Sequence, residues 1–192
     1  MGRNTAGVKF DMDDFWVFGY GSLMWNPGFI FEERQAARLH GYRRALCIRS
    51  NVYRGTVENP GLVLGLERGG SCHGVAFRVA GSNRVPVMDY LRARELVTNV
   101  YKEKSVPLSF ADGRKLKAVT YVADPKHDQY VSGLNPSTAA QIIAQASGSS
   151  GPNEDYVVNT IAHLKAMEIR DLLLEEIVDE ICSLQSASLR KA

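Results

Sequence analysis

The ten residues Trp16-Val17-Phe18-Gly19-Tyr20-Gly21-Ser22-Leu23-Met24-Trp25 constrain this chain more than any other stretch. An apolar, aromatic run of strand-forming residues stops at glycines on either side of Tyr20, with a hydroxyl next. Glycines at such a stop permit a tight bend or a close backbone approach to a small molecule. A buried strand followed by an ordinary turn fits the same letters, so the rest of the chain has to decide.

Residues 15–19 form the first strand in this reading, and Asn26-Pro27-Gly28 is a turn. Ala37 to Ser50 has an imperfect strand pattern interrupted by Gly41, which predicts a bulge or bend. After the turn Asn59-Pro60-Gly61, Leu62 to Leu66 and Cys72 to Val79 read as two strands of a hairpin joined at Arg68-Gly69-Gly70. The period then changes. Pro86 suits the first turn of a helix, Ser82 or Asn83 offers a cap, and Val87, Met88 and Leu91 recur at helical spacing. Ser105 to Phe110 and Leu116 to Val122 give two more strands around Ala111-Asp112-Gly113. Asn135-Pro136-Ser137 opens a helix that Gly148 ends. Val157, Val158, Ile161, Leu164 and Met167 mark the core face of the next helix. Leu172, Leu173, Ile177, Val178 and Ile181 mark that of the last.

The order strands, helix, strands, helices, with short strands and glycine bends, predicts an α+β fold built on a small closed or strongly curved mixed sheet. A dinucleotide-binding fold would need repeated strand–helix crossovers and a glycine-rich phosphate fingerprint, and the sequence has neither. With 192 residues, the expected division is a flexible leader over 1–14 and a single domain over 15–192. A formal charge of +2, with no Lys/Arg cluster interleaved with aromatics, argues against a nucleic-acid surface. Cys47, Cys72 and Cys182 and the four histidines have no metal-ligand spacing. We therefore expect no metal and reduced thiols, with Cys72 beside His73 as packing rather than a nucleophile. No signal peptide precedes residue 16 and no apolar run is long enough for a bilayer, so the expected location is cytoplasmic, away from membranes.

Glu95 breaks the helical pattern. It lies four residues after Leu91 and seven after Met88, so an apolar stripe ends in a carboxylate, while Arg92 and Arg94 fall off its face. Such a group either sits partly wet at the stripe's edge or occupies an apolar cleft, where its pKa rises and it becomes a proton shuttle near neutral pH. No second carboxylate and no serine–histidine arrangement accompanies it. Ser22 has no evident base and is not read as a nucleophile. Chemistry at such a site would need only proton transfer and a nucleophile carried by the substrate.

The chain resembles the ChaC-like γ-glutamylcyclotransferases, the glutathione-degrading branch of their superfamily. The resemblance rests on Val17 to Trp25, Ala37-Arg38-Leu39-His40-Gly41-Tyr42-Arg43-Arg44, Arg54-Gly55-Thr56, Asn59-Pro60-Gly61 and Gly70 to Ala76. It continues through Tyr90-Leu91-Arg92-Ala93-Arg94-Glu95, Tyr121-Val122-Ala123 and Ser150 to Tyr156. It implies a curved mixed β-sheet closing into a small barrel-like core with surrounding helices, a substrate-binding loop at Tyr20, Gly21, Ser22 and Leu23, a catalytic glutamate at Glu95, and Tyr156 lining the same cleft. It also implies a γ-glutamyl substrate, glutathione first, and no cofactor. Another γ-glutamyl amide, simple hydrolysis or a non-catalytic binding module are the alternatives. Arg38, Arg44 and Arg54 are candidate contacts for substrate carboxylates, or plain sheet arginines. Two departures stand out. Ala93 replaces a bulkier residue, and Leu172 follows Asp171 where relatives tend to carry a histidine.

Overall fold

The structure, a computed structural model, describes residues 13–189. Most of the expected leader lies outside the described residues. Asp14, at its end, is tied to the sheet, accepting from Arg78 Nη1 at 2.5 Å and from the Gly81 amide at 3.1 Å.

Five strands close a barrel: β1 (Phe15–Gly19), β2 (Glu33–Ser50), β3 (Gly61–Val79), β4 (Tyr101–Ser109) and β5 (Lys115–Ala123). Their order is β1-β3-β2-β4-β5. Neighbours run antiparallel except at the closure, where β5 meets β1 in parallel with Val17 opposite Val119. The sheet is therefore mixed, and closing it removes the exposed edges.

The expected hairpin within 62–79 is absent. β3 is one strand of 19 residues, paired along nearly its whole length with the 18 residues of β2. Gly69 and Gly70, with φ of 103° and 67°, do not reverse the chain. They lie opposite the register shift between His40 and Tyr42, where Gly41 has a φ of 84°. Glycines that look like a turn in sequence form instead a bulge that bends two long strands together.

Helix α1 (Arg84–Glu95) follows a short 3₁₀ turn over 81–83. Neither Ser82 nor Asn83 caps it through its side chain. Val87, Met88 and Leu91 pack against Phe15, Val17, Val79 and Tyr121. This contact fixes α1 to the outside of the barrel. Helix α2 (Pro136–Gln145) is capped by Asn135, whose Oδ1 accepts from the Thr138 amide at 2.8 Å. It ends at Gln145, ahead of Gly148, and Ser147–Gly148 pairs with Gly151–Pro152 in a two-stranded turn leading into α3 (Asn153–Ala166).

Helix α4 spans Leu172–Leu189. In α3, Val157, Ile161 and Leu164 enter the core, but Val158 is exposed. In α4 the buried stripe is Leu174, Ile177 and Ile181, while Leu172 and Leu173 are exposed. Asp171 sets this phase: its carbonyl and carboxylate accept from the Glu175 and Leu174 amides, which starts the helix one residue before the exposed leucines.

Candidate active site

Glu95 is the last residue of α1, and the packing of Leu91 and Met88 on the barrel directs that end at the mouth of the sheet. Its side chain is 18% exposed. It lines a cavity of about 80 Å³ with Tyr20, Gly21, Ser22, Leu23, Leu64, Tyr101, Tyr121 and Tyr156. The four residues of the expected loop, Glu95 and Tyr156 thus line one cavity. Six pieces of chain meet there: the turn after β1, the start of β3, the end of α1, β4, β5 and the first turn of α3.

Gly19 lets the chain double back. A Cβ at this position would lie 3.0 Å from that of Leu23 and 3.2 Å from the Met24 nitrogen. The turn is then held from two sides. On the side of α4, buried Arg44 donates through Nε to the Tyr20 carbonyl at 2.6 Å and through Nη2 to that of His73 at 2.6 Å. Its charge is met by Asp171, 2.9 Å away. From outside, Arg94 donates to Ser22 Oγ at 2.8 Å, the Asn26 carbonyl at 2.8 Å and Tyr90 Oη at 3.0 Å.

Arg94 also reaches Glu95, with Nε 3.2 Å from Oε1. Helical spacing alone would have kept it off that face, but the guanidinium folds back where the helix ends. Burial raises the Glu95 pKa above the ordinary glutamate value, and the Arg94 charge opposes this only in part. A carboxylate at a helix C-terminus also faces the negative end of the helix dipole. The result is a carboxylate that gains a proton more readily than an exposed glutamate would.

Two tyrosines grip the same residue of β3, Leu64. The Leu64 amide donates to Tyr156 Oη at 3.2 Å, and Tyr101 Oη donates to the Leu64 carbonyl at 2.6 Å. Tyr156 thereby keeps its own phenolic proton for another acceptor, and Tyr101 keeps lone pairs for another donor. Burial pushes Tyr156 up to about 12 and raises Tyr20 and Tyr101 as well. All three phenols stay neutral at physiological pH, which leaves Glu95 as the acid–base group among these four side chains. Tyr156 owes its place to Asn153, fully buried, whose side chain bonds both the amide of Leu62, at 2.6 Å, and its carbonyl, at 2.8 Å.

The candidate arginines do not line this cavity. Arg44 is the buried clamp just described, Arg38 donates to Ser71 on the sheet surface, and Arg54 lies 5.7 Å over the Tyr156 ring while donating to the Pro152 carbonyl. Sequence reasoning missed Leu64, Tyr101, Tyr121 and Arg94. Tyr101 lies before the strand the pattern predicted, and nothing in spacing distinguishes a cavity tyrosine from a core one. Arg94 had a signal, since it adjoins Glu95, but helical phase argued against it. Cys72 is buried and burial pushes its thiol up to about 11, which fits packing rather than nucleophilic chemistry. Among the described residues no helix is long and apolar enough to cross a membrane.

Comparison with known proteins places this geometry in a family. The family model described as ChaC-like protein matches residues 15–184. The chain is 36% identical over 167 residues to the glutathione-specific γ-glutamylcyclotransferase of Escherichia coli strain K12, covering 87% of this chain and 72% of that one. Against glutathione-specific γ-glutamylcyclotransferase 1 of Homo sapiens it is 32% identical, covering 92% and 85%. The fold is similar to the crystal structure of a yeast γ-glutamyl cyclotransferase specific to glutathione, with a TM-score of 0.80 at 22% identity, over 89% of this chain and 96% of that one. A closed mixed barrel, its mouth lined by a glycine-flanked turn and a half-buried glutamate, and matches that span nearly the whole chain lead to one conclusion: the chain belongs to the ChaC-like protein family.

Proposed function

We propose that this protein cleaves glutathione to 5-oxoproline and cysteinylglycine, with Glu95 as general base and then general acid. The observation that carries the reading is the single half-buried carboxylate facing the Tyr20–Leu23 turn and Tyr156 across one cavity, in a chain whose relatives are named for this reaction.

The substrate brings its own nucleophile. Its α-amine nitrogen attacks the γ-carbonyl carbon, a five-membered ring closes, and the amide C–N bond to the cysteinyl nitrogen breaks. The protein folds the glutamyl arm for this closure, and such alignment is worth about 7–11 kcal/mol in favourable model systems. Glu95 takes a proton from the attacking amine and delivers one to the departing nitrogen, a double use that suits a carboxylate with a raised pKa. The carbonyls of Tyr20, Gly21 and Ser22 are occupied by Arg44, Met24 and the amides of Trp25 and Asn26. The leading amides of such a turn have no partner within it, and they meet the glutamyl carboxylate or the developing oxyanion. The phenolic proton of Tyr156 is a further donor. Free cysteines fit a reducing compartment, the cytoplasm.

The test is incubation of the purified protein with glutathione, following 5-oxoproline and cysteinylglycine by mass spectrometry with Glu95→Gln in parallel. The reading requires both products in equal amounts from wild type and loss of both in the variant. A folded wild type that makes neither product refutes it.

A further inference from the structure

A second hollow adjoins the cavity. It is a groove of about 350 Å³, lined by the end of β2 and the residues after it, by the segment joining α1 to β4, and by Gln129. Glu95, Tyr101 and Tyr156 line both spaces, so the carboxylate stands on the wall between them. Ligand sites usually run to about 300–1,000 Å³. The 80 Å³ cavity therefore holds only a fragment of a tripeptide. In a reaction that breaks an amide beside Glu95, with the glutamyl arm on one side of that wall, the leaving amine has to lie on the other.

The groove's chemistry is specific. Val52 and Val97, 58% and 61% exposed, come from two different loops, and buried Val100 joins them in the lining. Two arginines line it as well. Arg94 is engaged by Glu95 and Ser22. Arg49 has its backbone fixed by Gln129: its amide donates to the Gln129 carbonyl at 2.8 Å, and its carbonyl accepts from Gln129 Nε2 at 2.9 Å. Arg49, an exposed arginine on a fixed strand end that lines this apolar trough, supplies the cation that a small thiol-bearing residue followed by a terminal carboxylate calls for.

Building on the cyclotransferase reading, we infer that this groove is the leaving-group subsite, with the valines against the cysteinyl side chain and Arg49 paired to the C-terminal carboxylate. Arg49 is then a specificity-determining residue. It selects peptide-like leaving amines over γ-glutamyl amides that lack a carboxylate at that distance.

The experiment compares kcat/KM for glutathione and for its glycine monoethyl ester, which has lost only that carboxylate's charge. Wild type prefers glutathione by about fivefold, the size of one exposed ion pair. Arg49→Gln brings the ratio close to one, and Arg49→Lys restores part of it. Val97→Asp, at an exposed position, sets an anion at the mouth and lowers the ratio by repulsion. A wild-type ratio near one, or a ratio that survives both Arg49→Gln and Val97→Asp, overturns the subsite while 5-oxoproline formation leaves the cyclotransferase reading standing. A folded wild type that makes 5-oxoproline from neither compound overturns both.

Discussion

Replacing Glu95 with glutamine should abolish turnover and stabilise the fold, and both signs follow from one feature. The Glu95 pKa is raised because burial disfavours the carboxylate more than Arg94, at 3.2 Å, favours it. A raised folded-state pKa means that the group's favourable contribution is complete below its unfolded value, near 4.5, and is lost as pH rises through the folded value. At pH 7 the native protein therefore carries the cost of a half-buried charge. Glutamine removes that cost and forfeits an ion pair worth about 0.2–1 kcal/mol. The net gain expected is about 0.5–2 kcal/mol, a common size for relieving a functional compromise. In a chain of this length that is about 2–4 °C in Tm for each kcal/mol. Over the same change kcat falls by about 10²–10⁴ for each proton-transfer role removed. Thermal and urea denaturation at pH 7 and pH 4, with kcat measured alongside, checks all of this. The stability advantage should be present at pH 7 and fade by pH 4. A variant that is less stable than wild type at pH 7, or that keeps a tenth of the activity, refutes the reasoning.

Three further outcomes follow from other contacts. Arg44→Met strands Asp171 and the carbonyls of Tyr20 and His73, so urea denaturation should show a loss of about 3–5 kcal/mol, typical of a broken buried ion pair. Asn153→Ala leaves both the amide and the carbonyl of Leu62 without their partner. It should cost about 2 kcal/mol or more and raise KM, because α3 loses the anchor that places Tyr156. Burial pushes the Cys47 and Cys72 thiols up to about 12 and about 11, so they stay protonated at pH 8, whereas Cys182 is exposed. A thiol reagent at pH 8 should titrate one cysteine in the native protein and three in denaturant.

Much of this architecture is written in local patterns. Strand β1, helix α1 and the opening of α2 at Asn135-Pro136-Ser137 follow from apolar period and proline position, and a closed or strongly curved mixed sheet follows from short strands with glycine bends. The hairpin wrongly expected at Gly69-Gly70 shows where local reading stops. Two glycines with positive φ serve a turn or a bulge equally well, and only the partner strand, with Gly41 opposite, decides between them. The misplaced faces of α3 and α4 have a similar cause, since Leu172 and Val158 look like core residues until the helix start at Asp171 and the packing of neighbours fix the phase. At the site, Glu95 was legible because a carboxylate ends an apolar stripe. Its tyrosine neighbours and the Arg94 bridge were not, because they arrive from separate elements at distances set by barrel closure.

The central claim is cyclisation by the substrate's own amine, and oxygen labelling tests it most directly. Glutathione is turned over in ¹⁸O-water and the glutamyl product is analysed by mass spectrometry. The account predicts unlabelled 5-oxoproline with an equal amount of cysteinylglycine, since no water attacks the carbonyl. Free glutamate carrying one ¹⁸O would show a hydrolase and contradict it.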